Sequence, residues 1–160
     1  TVPMDLVLDL DGTLIAEFDD ERRGHIVARP HLAEFMAFCF NNFRVSVWTA
    51  GSWTWGLKVT DKLNIQHDLY RLLAGARVVK DYYVKELTAK AFKLNNTIII
   101  DNVSDTYSLN PDNAIHIKTY EGGADNELIR LKRVLQDVLS MHRDGRLGRD
   151  VRCLLQRALK

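Results

Sequence analysis

The run TIII, Thr97 to Ile100, has no polar face. Successive side chains of a strand point to opposite sides, so a half-exposed strand alternates apolar and polar residues. A run without that alternation must be covered on both faces, as strands of parallel sheets are. Leu6-Val7-Leu8 is a second such run, and RVSVW (Arg44 to Trp48) and AIHI (Ala114 to Ile117) read as further short strands. Helical periodicity falls between them. In RPHLAEFMAFCF, Leu32, Phe35, Met36 and Cys39 are spaced i, i+3, i+4, i+7, and Pro30 suits a first helical turn. TWGLKVTDKL predicts a second helix, weakened by Gly56. VKELTAKAFKL places Val84, Leu87, Ala91 and Leu94 on one face and predicts a third, which Lys85 begins. LYRLL and RVVKDYY flank Ala74-Gly75-Ala76 and predict a hairpin. Asp125 can cap a helix carrying Leu128, Leu131, Leu135 and Val138, and Val151, Leu154, Leu155 and Ala158 line one side of a last helix. Strands alternating with helices predict an α/β fold with a doubly wound, mostly parallel sheet in one domain over residues 1–160.

The bulk numbers agree with that class. A chain of 160 residues, 46% apolar and 27% charged, suits one globular domain. No apolar run reaches membrane-span length, and no signal-peptide pattern opens the chain. It begins at Thr1 without a methionine, as an excised segment of a longer protein would. Cys39 and Cys153 lack metal-ligand spacing and read as free thiols of a reducing, intracellular compartment, nuclear or cytoplasmic. The net charge of +1 hides an asymmetry. Residues 129–160 carry nine basic and three acidic groups. That segment reads first as solvated helix faces, and second as a surface for an anionic partner: a phosphopeptide, a membrane surface or nucleic acid.

In open α/β sheets, ligands bind beyond the carboxyl ends of the strands. Those ends hold chemically capable residues. LVLDLDGTLI delivers Asp9 and Asp11 after an apolar run, where ionised carboxylates need a partner or a cation. VWTAGS delivers Thr49 and Ala50, and IIIDN delivers Asp101 and Asn102. Lys85 lies in YVKEL, ahead of TIII. Each type has a place in phosphoryl transfer. Magnesium takes carboxylate oxygens together with substrate oxygens. Gly12 permits close backbone approach to a phosphate. Thr49 can donate a hydrogen bond to a phosphate oxygen, and Lys85 supplies a compact positive charge. A carboxylate can act as the nucleophile.

DLDGTL, the hydroxyl ending the second strand, the lysine and the late acidic pair resemble the four motifs of the haloacid dehalogenase (HAD) superfamily. ARPHLAEF, YVKEL, IIIDN, NPDNAIHI and DNELIRLKRVL resemble segments of its FCP/SCP group, the RNA polymerase II C-terminal-domain phosphatases. DVRCLLQ resembles a tail found in some members, including the nuclear-envelope phosphatases. The resemblance implies a Rossmann-like HAD fold without a large cap domain, a Mg2+ cofactor, and hydrolysis of phosphoserine or phosphothreonine in a phosphoprotein substrate. It implies that Asp9 is the nucleophile and that Asp11 exchanges protons and offers its carbonyl to the metal. Thr49 and Lys85 would bind phosphate, and Asn102 would ligate magnesium. Asp101 would either ligate it or stand behind the ligands.

Gly12 stands where the group usually has glutamate, and the polar segment Ile15 to Val27 is short where many members carry a longer insert. Trp55 takes the place of a tyrosine that often faces substrate. Two further readings stay open on these grounds: a phosphatase of small molecules or nucleic-acid ends, and a non-catalytic interaction module like the mitochondrial import-channel subunit that shares the fold. None of the five histidines is required by the chemistry.

Overall fold

The computed structural model describes residues 2–18 and 25–160. Its centre is a five-stranded sheet built from β1 (Asp5–Leu8), β4 (Arg44–Thr49), β5 (Tyr70–Ala74), β8 (Thr97–Asp101) and β9 (Ala114–His116). The spatial order is β5-β4-β1-β8-β9 and every pairing is parallel. All four residues of β1 and all five of β8 are buried, as the unbroken apolar runs require. A short antiparallel pair, β2 (Ile15–Phe18) with β3 (His25–Ala28), follows β1. The middle of the polar segment, residues 19–24, lies outside the described residues.

Helices α1 (Leu32–Asn42), α2 (Trp53–Lys62), α3 (Glu127–Asp144) and α4 (Val151–Ala158) enclose the main core. That core joins Leu6, Leu8, Val45, Val47, Ile98 and Ile100 of the sheet to Phe35, Cys39, Val59, Leu131 and Leu154 of the helices. The alternate sheet residues Val7, Trp48 and Ile99 face the other way, onto Leu87 and Phe92. Helix α1 bears the four buried residues its spacing predicts. Pro30 lies ahead of it rather than in its first turn, because His31 takes a left-handed conformation (φ 71°) as the N-cap.

Two sequence expectations are corrected. Residues 84–94 do not form a helix. Val84 ends a strand, Leu87–Lys90 is a single 3-10 turn, and Ala91 breaks it at φ 64°. The Lys85 N–H donates to the Thr106 carbonyl instead of a helical partner, at 2.7 Å. Tertiary bonding at Lys85 thus overrides a periodicity that is only locally helical. The predicted hairpin is also rearranged. LYRLL enters the main sheet as β5, while RVVKDYY folds on itself as β6 (Arg77–Val79) and β7 (Tyr82–Val84). Lys80, at φ 56°, makes that turn.

The chain runs outward from β1 to β4 and β5, then returns to β8 on the opposite side of β1. That reversal is the topological switch point of the sheet, where the strand ends open a crevice. Asp9 follows β1 and Asp101 ends β8, so both stand at its mouth.

Candidate active site

Lys85 is the centre of the site. Its ammonium donates to Asp9 Oδ1 and to Asp101 Oδ2, each at 2.8 Å. All three side chains are buried. Burial by itself would lower the pKa of Lys85, but the charges of Asp9 and Asp101 outweigh it and raise the value, so the ammonium stays charged. Desolvation pushes the Asp9 carboxyl up to about 6, against the pull of Lys85 and with the push of Asp101.

A second arrangement lies on the other side of the same carboxylate. Thr13 Oγ1 donates to Asp9 Oδ2 at 3.0 Å and stands 3.2 Å from Asn102 Oδ1. Asn102 Oδ1 lies 2.9 Å from Asp9 Oδ2 and 3.1 Å from the Asp11 carbonyl oxygen, among acceptors only. Turning the amide over would put its NH2 on those oxygens and let its oxygen accept from Thr119 Oγ1 at 3.0 Å. Either a donor or a cation must therefore lie among them. Adjacent oxygens of an octahedral magnesium, each at 2.0–2.1 Å from the ion, are roughly 3 Å apart. With the amide oxygen on this side, its two spacings match that edge, so the donor set fits a hard divalent cation. Among the described residues no group of three His, Cys, Asp or Glu side chains converges on a metal. The oxygens come instead from one carboxylate, one amide and one main-chain carbonyl.

Asp101 does not join this trio. Its Oδ2 is held by Lys85 and its Oδ1 accepts from the Val103 N–H at 3.0 Å. The Asp11 side chain turns away from Asp9 to the surface, where both its oxygens accept from the Trp55 indole N–H at 3.1 and 3.0 Å. Thr49 is buried and its hydroxyl accepts from the Gly51 N–H at 3.1 Å, leaving its own proton to give. Ala50 is half-buried in the turn after it. Gly12 has φ 80°, and a Cβ there would lie 2.3 Å from Asn102 Nδ2. The glycine makes room for the asparagine that meets Asp9, which is a tighter requirement than backbone approach to a ligand.

The NLI interacting factor-like phosphatase family matches residues 4–146. The chain belongs to that family. CTD small phosphatase-like protein 1 of Caenorhabditis elegans is 32% identical over 143 residues, which cover 78% of this chain and 29% of that protein. The mitochondrial import inner membrane translocase subunit TIM50 of Kluyveromyces lactis is 26% identical over 133 residues, covering 81% of this chain and 28% of the relative. The chain thus spans under a third of the length of these two relatives. The RNA polymerase II CTD phosphatase Fcp1 of fission yeast, solved as an R271A variant with beryllium fluoride, shares the fold with a TM-score of 0.73 at 15% identity, over 97% of this chain and 70% of that one. Among the described residues this family member has the expected HAD-type sheet and no large cap domain.

Some of the site was not foreseen. Arg29, which precedes Pro30 at the start of RPHLAEF, is wholly buried and forks onto Asp125 at 2.8 and 2.9 Å. It also donates to the carbonyls of Gly12, Thr13 and Lys118 at 3.3, 3.0 and 2.7 Å. The N-cap of α3 is Asn126 rather than the expected Asp125; Asp125, one residue earlier, accepts from the Glu127 N–H at 2.9 Å and holds Arg29 as well. The hydrogen bond from Arg29 keeps the Asp125 carboxyl below the usual carboxylate range. The signal available in the sequence was an arginine beside a proline at a helix entrance, which does not say where the guanidinium points.

Proposed function

We propose that this domain is a Mg2+-dependent phosphoprotein phosphatase acting on phosphoserine or phosphothreonine through an aspartyl-phosphate on Asp9. The observation that carries the proposal is Lys85, locked between Asp9 and Asp101, with a cation-sized trio of oxygens on the far side of Asp9. A dianionic phosphate can approach a carboxylate only where positive charge offsets both.

The trio of Asp9 Oδ2, Asn102 Oδ1 and the Asp11 carbonyl would hold the metal, which when bound supplies charge neutralisation between nucleophile and phosphate. Asp101 serves by fixing Lys85. A carboxylate oxygen of Asp9 forms a bond to phosphorus as the bond to the serine or threonine oxygen breaks. Asp11 gives its proton to that leaving oxygen. Asp11 then takes a proton from water, whose oxygen bonds to phosphorus while the aspartyl bond breaks, and inorganic phosphate departs with Asp9 restored. Thr49, through its hydroxyl proton, and Ala50 would hold phosphate oxygens. The absence of a large cap leaves the strand ends open to an extended chain, which supports a protein substrate over an enclosed metabolite. The free thiols of Cys39 and Cys153 suit a reducing, intracellular compartment, nuclear or cytoplasmic.

The relatives that are import translocase subunits favour a second reading, a binding module without turnover. One experiment separates the two. Mass spectrometry after exposure to a phosphopeptide and Mg2+ is expected to show phosphate on Asp9, trapped by acid quench, and none in the Asp9→Asn protein. A wild-type protein that neither turns over nor carries phosphate would leave the binding module.

A further inference from the structure

The contact between Trp55 and Asp11 links two residues that the chemistry treats separately. The indole N–H is shared between both carboxylate oxygens of Asp11, at 3.1 and 3.0 Å. Among the described residues no other side chain donates to Asp11. Trp55 sits at the start of α2, partly buried against the core. Its backbone N–H donates to the Ser52 hydroxyl at the N-cap of α2, at 3.1 Å. Lys58 Nζ lies 5.6 Å from the centre of its ring. Its Cδ1 would be 3.4 Å from a Cβ at Gly51, an atom that would also come to 3.3 Å from Thr49 Oγ1. The indole is thus packed between the helix start and the turn that carries the phosphate-binding threonine.

We infer that Trp55 is a positioning residue for Asp11, one that orients the carboxylate which exchanges protons with the leaving oxygen and with water. This rests on the proposed role of Asp11. An indole N–H donates and cannot accept, so it fixes a carboxylate without competing for its proton. Without that bond no described side chain would hold the exposed Asp11 carboxylate, which could take several rotamers, and only some bring an oxygen to the reacting atoms. The N–H restricts that choice. Trp55 thereby acts on the proton transfers through Asp11, and a direct hold on substrate is a separate role that the same experiment would reveal.

The test compares wild type with Trp55→Phe, which keeps an aromatic ring and loses the N–H, on 4-nitrophenyl phosphate with Mg2+. Losing a hydrogen bond to a charged group at an exposed site lowers kcat by roughly tenfold. KM is expected to fall with kcat, so that kcat/KM stays within roughly twofold, and circular dichroism to stay unchanged. Nitrophenolate departs without help, so hydrolysis of the phosphoenzyme takes the larger loss, and the fraction of enzyme carrying phosphate at steady state rises. Asp11→Asn and the double variant Asp11→Asn with Trp55→Phe complete a cycle, in which the tryptophan change has no further effect on hydrolysis once Asp11 is gone. A raised KM with unchanged kcat makes Trp55 a substrate contact and overturns the inference. So does an equal loss in both backgrounds. A wild-type protein without turnover or phosphoenzyme fails the proposed function itself, and the role of Trp55 in it falls too, whereas an active wild type with an indifferent Trp55→Phe fails the inference alone.

Discussion

Arg29→Met removes the donor that ties four segments together: the Gly12–Thr13 turn, Lys118, Asp125 and, through the ring 5.3 Å from its guanidinium carbon, Tyr120. Methionine fills part of the space but donates nothing. Asp125, whose side chain is 12% exposed, loses its partner, and breaking a buried ion pair from one side costs about 3–5 kcal/mol. The carbonyls add to that where they are left bare, at about 1–3 kcal/mol each. Gly12 O keeps a donor in the Tyr120 N–H at 2.8 Å, so the exposed loss falls on Thr13 O and Lys118 O. These belong to one network and do not simply sum, and a net loss of about 5 kcal/mol is expected. Against a total stability of about 5–15 kcal/mol, that leaves a marginal protein. Arg29→Lys keeps a charge but not the fork, and should lose about 2 kcal/mol. Urea titration followed by circular dichroism measures both, from the midpoint at unchanged slope. An Arg29→Met protein within about 1 kcal/mol of wild type would refute the account of Arg29 as the tie between these segments.

The remaining predictions concern the site and its supports. Lys85→Met faces Asp9 with Asp101 uncompensated; turnover is expected to vanish and stability to fall by about 3–5 kcal/mol, read by phosphate release and urea titration. Gly12→Ala forces the Asn102 amide from its place and a residue with a side chain into φ 80°, and is expected to raise the Mg2+ concentration needed for half-maximal activity in a metal titration. Gly56→Ala puts a Cβ 3.0 Å from Leu72 Cδ1 and 3.3 Å from Thr49 Cγ2; overpacking of about 1–3 kcal/mol outweighs the gain in helix propensity, so the melting temperature should drop rather than rise. Asp125 has a folded-state pKa below its unfolded value, so its contribution to stability is complete above the unfolded pKa, about 4, and disappears as pH falls through the folded one. Asp125→Asn should flatten the acid limb of a stability profile below about pH 4.

Sequence alone determined the architecture and which residues gather at the strand ends. TIII and LVL could only be interior parallel strands, because neither has a side that tolerates water. The carboxylates after them then had to stand at the strand ends, where α/β sheets bind ligands, and the motif order tied them to phosphoryl transfer. Tertiary structure decided what local pattern could not carry. Residues 84–94 have helical spacing, but Lys85 is pulled into a buried pairing with two carboxylates distant in the chain, and that attraction outweighs a few residues of helix propensity. Gly56, which weakens α2 as a peptide, is there because Leu72 and Thr49 press against it. Asp101 is turned from the oxygen trio because Lys85 and the Val103 amide claim its two oxygens, and Arg29 reaches across to Asp125 for the same kind of reason. A side chain's partner is set by which segments the packed core brings within 3 Å, and separations of 16, 76 or 96 residues along the chain leave no periodic trace in the sequence.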